Sequence, residues 1–186
     1  MRCFPLCLNV EGQPVLLMGS GKALARRLEQ LRPYSPALRV FSPEAPITEG
    51  DLTPRPAFVL ITDAPYKTAR HISDLCRERG IPVNVEDVPE LCTFYFPSLI
   101  TRGPLTVSIV TDGASPAASA LIRRKVEAFL PEHTEEIMEW GGELRLRLKE
   151  EIADSKRRAA LIRMAVAEAF EKDRPLTEEE LDALRT

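Results

Sequence analysis

Residues 14–18 read PVLLM, apolar without a break, and they run straight into Gly19-Ser20-Gly21 and the helix-forming stretch KALARRLEQL. A strand with one wet face alternates polar and apolar residues. A strand covered on both faces has no need to, and short unbroken apolar strands are typical of parallel sheets sandwiched by helices. Further strands are expected at residues 38–42, 57–61, 82–85 and 106–110. Between them Leu24, Leu28 and Leu31 recur at helical spacing, as do Ala69, Ile72 and Cys76. Strand–helix alternation of this kind predicts an α/β fold, a Rossmann-like parallel sheet domain. The proline-rich segment 43–56, PEAPITEGDLTPRP, reads as an irregular loop.

Beyond residue 113 the pattern is helical. Ser115-Pro116 is a helix start, a capping hydroxyl followed by a proline suited to the first turn. Ala118, Ile122, Val126 and Phe129 then share one face. Ala159, Ile162, Val166 and Ala169 form a stripe on a later helix, and Thr177 with Glu180 makes a capping box before a short last one. The expected organisation is residues 1–112 as a dinucleotide-binding domain, 113–146 as a dimerisation region and 147–186 as a small all-helical domain. The tail by itself holds little core, so its apolar stripes favour self-association.

A formal charge of -3 gives no electrostatic case for nucleic acid or an anionic membrane. No apolar run nears the roughly 20 residues of a spanning helix, and the N-terminus carries no signal-peptide pattern. Cys3, Cys7, Cys76 and Cys92 lack metal-binding spacing and have two histidines to help them, so no metal site is expected and the thiols read as reduced, in a cytoplasmic protein.

Glycines between a strand and a helix usually face a phosphate. A P-loop needs Gly-x-x-x-x-Gly-Lys-Ser/Thr. Here the position five before Gly21 is Leu16, inside the strand, and Ala23 follows Lys22 with no hydroxyl for magnesium. A dinucleotide turn fits better. Gly19-x-Gly21 allows the tight turn and close approach to a pyrophosphate, and Glu44 follows the second strand where a ribose-binding acid belongs. Leu24 stands where such turns usually carry Gly or Ala. Polar residues also follow the later strands: Thr62 and Asp63, Asn84 to Asp87, and Thr111 to Ser115.

Four blocks in order, FPLCLNVEGQPVLLMGSG, LITDAP, NVEDVPELCTFYFPSLITRGPL and TDGASPAASALIRRKVEAFLP, resemble the precorrin-2 dehydrogenase family, which also forms the N-terminal part of siroheme synthases. The likeness covers about residues 4–131. It implies a Rossmann domain, a dimerising middle and a helical end, assembled as an intertwined homodimer. It implies NAD-dependent oxidation of precorrin-2 to sirohydrochlorin, with Fe²⁺ insertion as a further step in some members. Carried over by position, Gly19, Ser20, Gly21, Lys22 and Ala23 would form the pyrophosphate turn. Pro43 and Glu44 would flank the adenosine ribose, and Thr62 and Asp63 would line the nicotinamide side. Asp87 falls on the family's essential aspartate, Asn84 and Thr111 on the tetrapyrrole pocket. Arg102 and Arg124, with Arg123 and Lys125 beside the latter, would meet substrate carboxylates. The chain departs from the family at Leu24, in a short segment between Glu44 and Thr62, and at Glu86, where an apolar residue is usual. An alternative reading is a chelatase or tetrapyrrole-binding protein whose dinucleotide site has decayed.

Overall fold

The structure, a computed structural model, describes residues 3–185. The chain divides into two compact units, Leu6–Phe96 and the part from Pro97 onward with residues 3–5.

The first unit is built on four strands, β1 (Pro14–Met18), β2 (Ala37–Phe41), β3 (Phe58–Ile61) and β4 (Val83–Val85), all parallel in the order β2-β1-β3-β4. Helices α1 (Gly21–Leu31) and α2 (Tyr66–Glu78) cross over between them. Strand alternation sorts the apolar side chains into two cores. Leu16, Met18, Val59 and Ile61 pack with Ala69, Ile72 and Cys76 of α2. Val15, Leu17, Phe58 and Leu60 pack with Leu31, and with the half-buried Leu24 and Leu28, of α1. Both faces are covered, which is why β1 and β3 read as unbroken apolar runs. Segment 43–56 is irregular apart from one 3-10 turn at Glu49–Leu52, capped reciprocally by Thr48 and Asp51. It nevertheless sends Ile47 and Leu52 into the α2-side core.

The run expected as a fifth parallel strand lies elsewhere. Residues 105–109 form β6 (Leu105–Ile109), antiparallel to β5 (Ser98–Arg102), in a two-stranded sheet of the second unit. The tight Arg102-Gly103-Pro104 turn makes a hairpin, and strand periodicity alone does not reveal pairing partners. The contacts therefore divide the chain at 96/97 rather than at 112/113. The second unit continues with α3 (Pro116–Phe129), α4 (Thr134–Glu151), α5 (Ser155–Glu171) and α6 (Glu178–Ala183). Ser115 caps α3 by accepting from the Ala118 amide, and Thr177 with Glu180 caps α6 as expected. Ile137, Leu144 and Leu148 of α4 share one core with Leu161, Ala165 and Ala169 of α5 and Leu181 of α6. A boundary at 146/147 would cut through α4. The α5 stripe is centred one residue away from the one expected: Ala159 is exposed, and Ile162 and Val166 are only half-buried. Leu161 and Ala165 turn inward together with Ala169, which both stripes share.

Candidate functional site

Because the four strands are parallel, their carboxyl ends share one edge of the sheet, where open α/β sheets bind ligands. The ladder continues past the strand ends. Gly19 N donates to Phe41 O at 3.1 Å, Thr62 N to Met18 O at 2.8 Å and Glu86 N to Ile61 O at 2.8 Å. Gly19, Thr62 and Glu86 thus form one row, and Ser20, Asp63 and Asp87 follow one residue beyond.

Gly19 is required by proximity. A Cβ there would meet the Thr62 hydroxyl, with Thr62 Cβ at 3.2 Å and Asp63 N at 3.1 Å. Gly21, the first residue of α1, has a φ of +60° and open space where a Cβ would stand. Ser20 does not cap α1, and no acidic residue lies in the first turn. Its hydroxyl donates instead to Asp63 Oδ2 at 2.7 Å, tying the glycine turn to the end of β3. The first amides of α1 therefore have no side-chain cap at the positive end of the helix dipole, beside an exposed Lys22. Leu24 turns into the α1-side core and leaves the turn clear. These residues fit a pyrophosphate. Pro43 and Glu44 occupy the turn after β2, closed by Ala45 N on Ser42 O at 3.2 Å, with Glu44 exposed.

At the end of β4, Val88 N donates to Val85 O at 3.2 Å and closes a turn in which Asp87 has a φ of +62°. Its carboxylate is exposed and makes no hydrogen bond or ion pair among the described residues. Glu86 turns the other way, as strand alternation predicts, and pairs with Arg26 and Arg27 of α1. Burial pushes the Arg27 guanidinium down from its ordinary value, and the Glu86 carboxylate opposes that.

Asn84, expected to hold substrate, is 7% exposed, and its amide donates to Phe94 O at 3.0 Å. It orders the segment after the turn. Thr93 N donates to Val83 O at 2.8 Å, and Val83 N to Thr93 Oγ1 at 2.8 Å, so this segment also covers the open edge of β4. Cys92 Sγ accepts from Val85 N at 3.2 Å, and burial pushes its thiol up. The roles of Cys92, Thr93, Arg26 and Arg27 were not foreseen; the adjacent arginines facing an unusual Glu86 were the available signal.

Arg102, Thr111 and Arg124 belong to the second unit. Arg102 on β5 lies 3.6 Å from Glu127 of α3, which offsets its charge. Arg124 is exposed on α3. Thr111 opens a turn closed by Ala114 N on Thr111 O at 2.8 Å. Among the described residues no group of three or more His, Cys, Asp or Glu could hold a metal ion, and no helix is long and apolar enough to cross a membrane.

Residues 6–98 match a family profile described as putative NAD(P)-binding, and residues 102–128 match one described as sirohaem biosynthesis protein central. A siroheme synthase of Thioalkalivibrio sulfidiphilus is 31% identical over 176 residues, covering 85% of this chain and 36% of that protein. One of Azotobacter vinelandii is 35% identical over 149 residues, 70% of this chain and 32% of that protein. The chain spans about a third of the length of these relatives. Among solved structures, SirC, precorrin-2 dehydrogenase, superposes with a TM-score of 0.74 over 98% of this chain and 96% of that one, at 17% identity, a likeness of fold.

Proposed function

The chain belongs to the precorrin-2 dehydrogenase/siroheme synthase N-terminal family, and on that premise we propose that it oxidises precorrin-2 to sirohydrochlorin with NAD⁺ as hydride acceptor. The observation that carries this reading is the single sheet edge on which an open glycine turn follows β1 and Asp87, whose carboxylate makes no hydrogen bond or ion pair among the described residues, follows β4, with only β3 between them. When bound, the oxidised nicotinamide takes a hydride from the tetrapyrrole, and the accompanying proton needs a base. Asp87 supplies it: exposed and free of partners, it can accept a proton at its carboxylate without first breaking a bond. Gly19, Ser20, Gly21, Lys22 and Ala23 would hold the pyrophosphate through amides and one cation. Thr62 and Asp63 would face the nicotinamide side. Glu44, a bare carboxylate after β2, suits a ribose diol and repels a 2′-phosphate, which favours NAD over NADP.

The same carboxylate suits a second step. Inserting Fe²⁺ into sirohydrochlorin displaces two pyrrole protons, and a free carboxylate beside the ring can receive one. Ferrochelatase activity is therefore part of the proposal, with iron as substrate. A second copy of this chain is the proposed partner of α3, which leaves Leu121, Ile122 and Phe129 exposed at 47%, 43% and 85%.

Anaerobic incubation with precorrin-2 and NAD⁺ tests the reading. Sirohydrochlorin and NADH should form in equal amounts. Asp87→Ala should lower turnover by about 10² to 10⁴ while NADH titration and thermal melting stay close to the native values. NADH binding with no oxidation would leave only the chelatase reading; no NADH binding would remove the dehydrogenase altogether.

A further inference from the structure

Glu86 and Asp87 are neighbours in one turn, yet their side chains keep different company. Glu86 is shared between Arg26 and Arg27, the latter at 3.4 Å, and its side chain is 16% exposed against 14% for Arg27. Arg27 is fixed further by Gln30 Oε1 at 2.9 Å and by the Phe96 ring, whose centroid lies 4.6 Å from the guanidinium carbon. Asp87 has none of these ties.

A half-buried ion pair is a poor source of stability, because desolvation offsets most of the Coulombic gain. Here Glu86 Oε2 and Arg27 Nε both lie buried without a hydrogen-bond partner, so an apolar side chain at 86 would serve the core at least as well. What Glu86 does change is the charge beside Asp87. Arg26 and Arg27 bring two guanidiniums to this turn, and the Asp87 carboxylate already favours the charged form of Arg27. Besides Glu86, the carboxylate that acts on Arg27 is that of Asp87 itself. An arginine partner would engage it and draw it away from the sheet edge.

We propose that Glu86 is a positioning residue that engages Arg26 and Arg27 and so leaves the Asp87 carboxylate free to act. The proposal rests on the reading of Asp87 as the base.

Glu86→Gln keeps the shape and removes the charge. It should lower kcat for precorrin-2 oxidation on the order of tenfold, as expected when the base must leave an ion pair before it can act. KM and the NADH dissociation constant should stay within about twofold, because neither the glycine turn nor the tetrapyrrole contacts change. Removing both guanidiniums in that background, with Arg26→Gln and Arg27→Met, should restore kcat to within about threefold of the native value. Stranding the half-buried Arg27 would by itself destabilise the fold, and removing it would relieve that, so the recovery counts only if Glu86→Gln melts like the native protein; a lowered melting temperature restored together with kcat overturns the inference. Glu86→Gln turning over within about twofold of native, or a combined variant as slow as Glu86→Gln or slower, overturns the inference alone. A native protein that makes no sirohydrochlorin overturns the reading of Asp87, and the inference with it.

Discussion

In the unit Leu6–Phe96 every residue of β3 is buried, whereas α3 in the following unit buries none of its 14 residues. The sheet encloses its apolar side chains between α1 and α2. The second unit has a core between α4, α5 and α6 but leaves Leu121, Ile122 and Phe129 of α3 in the open, with Leu146 of α4 and Met164 of α5. One unit carries the candidate chemistry on a finished scaffold; the other carries apolar surface that has yet to be covered. Large exposed apolar side chains along one helix mark an interaction face more often than a failure of folding.

The sharpest way to break this contrast is to truncate one side chain from each unit. Leu60 is fully buried and Phe129 is 85% exposed. Leu60→Ala should lower unfolding stability by about 2–5 kcal/mol, through lost transfer energy and the cavity left behind. Phe129→Ser should change the stability of the dilute protein by less than about 0.5 kcal/mol and instead weaken self-association. Urea unfolding and sedimentation of both variants check this. Equal destabilisation by the two, at concentrations where the native chain is monomeric, would show that Phe129 belongs to a core within its own chain.

A second test stays at the sheet edge. Gly19→Ala would drive a methyl group into Thr62 and toward the Asp63 amide, 3.1 Å from where the Cβ would stand. The Thr62 hydroxyl can rotate away, but its Cβ and the backbone cannot. The ends of β1 and β3 must then separate, at a cost of about 1–3 kcal/mol, and the Ser20–Asp63 hydrogen bond should be lost with them. NADH titration should weaken in parallel. Gly21→Ala gives the control: its methyl group meets nothing, and only the left-handed φ resists it.

The same contrast explains what could be read from the residues beforehand. β1, β3, α1 and α2 were legible because covering both faces of a strand leaves an unbroken apolar run, and covering one face of a helix leaves a stripe. The glycine turn and Asp87 were legible from their order along the chain. β5 was not, because Ser98–Arg102 mixes polar and apolar residues, and the hairpin partner of Thr106 and Val107 is set by a turn rather than by periodicity. The structural tie of Asn84 was hidden for a related reason. The resemblance implies a substrate contact there, and the carbonyl that takes its amide belongs to Phe94, ten residues on. Hydrogen bonds between segments of irregular backbone leave no pattern in composition.

The smallest effect concerns acid, and it again separates the two units. In the second unit, Asp154 is held below the usual carboxylate range by the Arg157 and Lys156 amides, and Asp173 by the His133 amide. Glu178 is lowered by Arg147, and Glu180, held by Arg174 and Lys172, lies further below that range. In the sheet unit the resolved case is Asp51, lowered by its bonds to Thr48 and Arg39. A carboxylate whose folded pKa is depressed contributes stability above its unfolded value and loses it as pH falls through the folded one. The second unit should therefore loosen first as pH drops below about 4.5, at the first turn of α5, the start of α4 and the cap of α6. His133 acts in the opposite direction. Its pKa is raised by Asp173, so its contribution is complete below about 6.5 and fades as pH climbs through the raised value. These groups are exposed, so the effects are modest and should shrink in added salt. Hydrogen exchange followed from about pH 5 to pH 3 should show α4, α5 and α6 losing protection before β1 and β3. Protection lost first in the sheet would reverse the contrast, and would place the acid-sensitive bonds around Asp51 rather than among the helices.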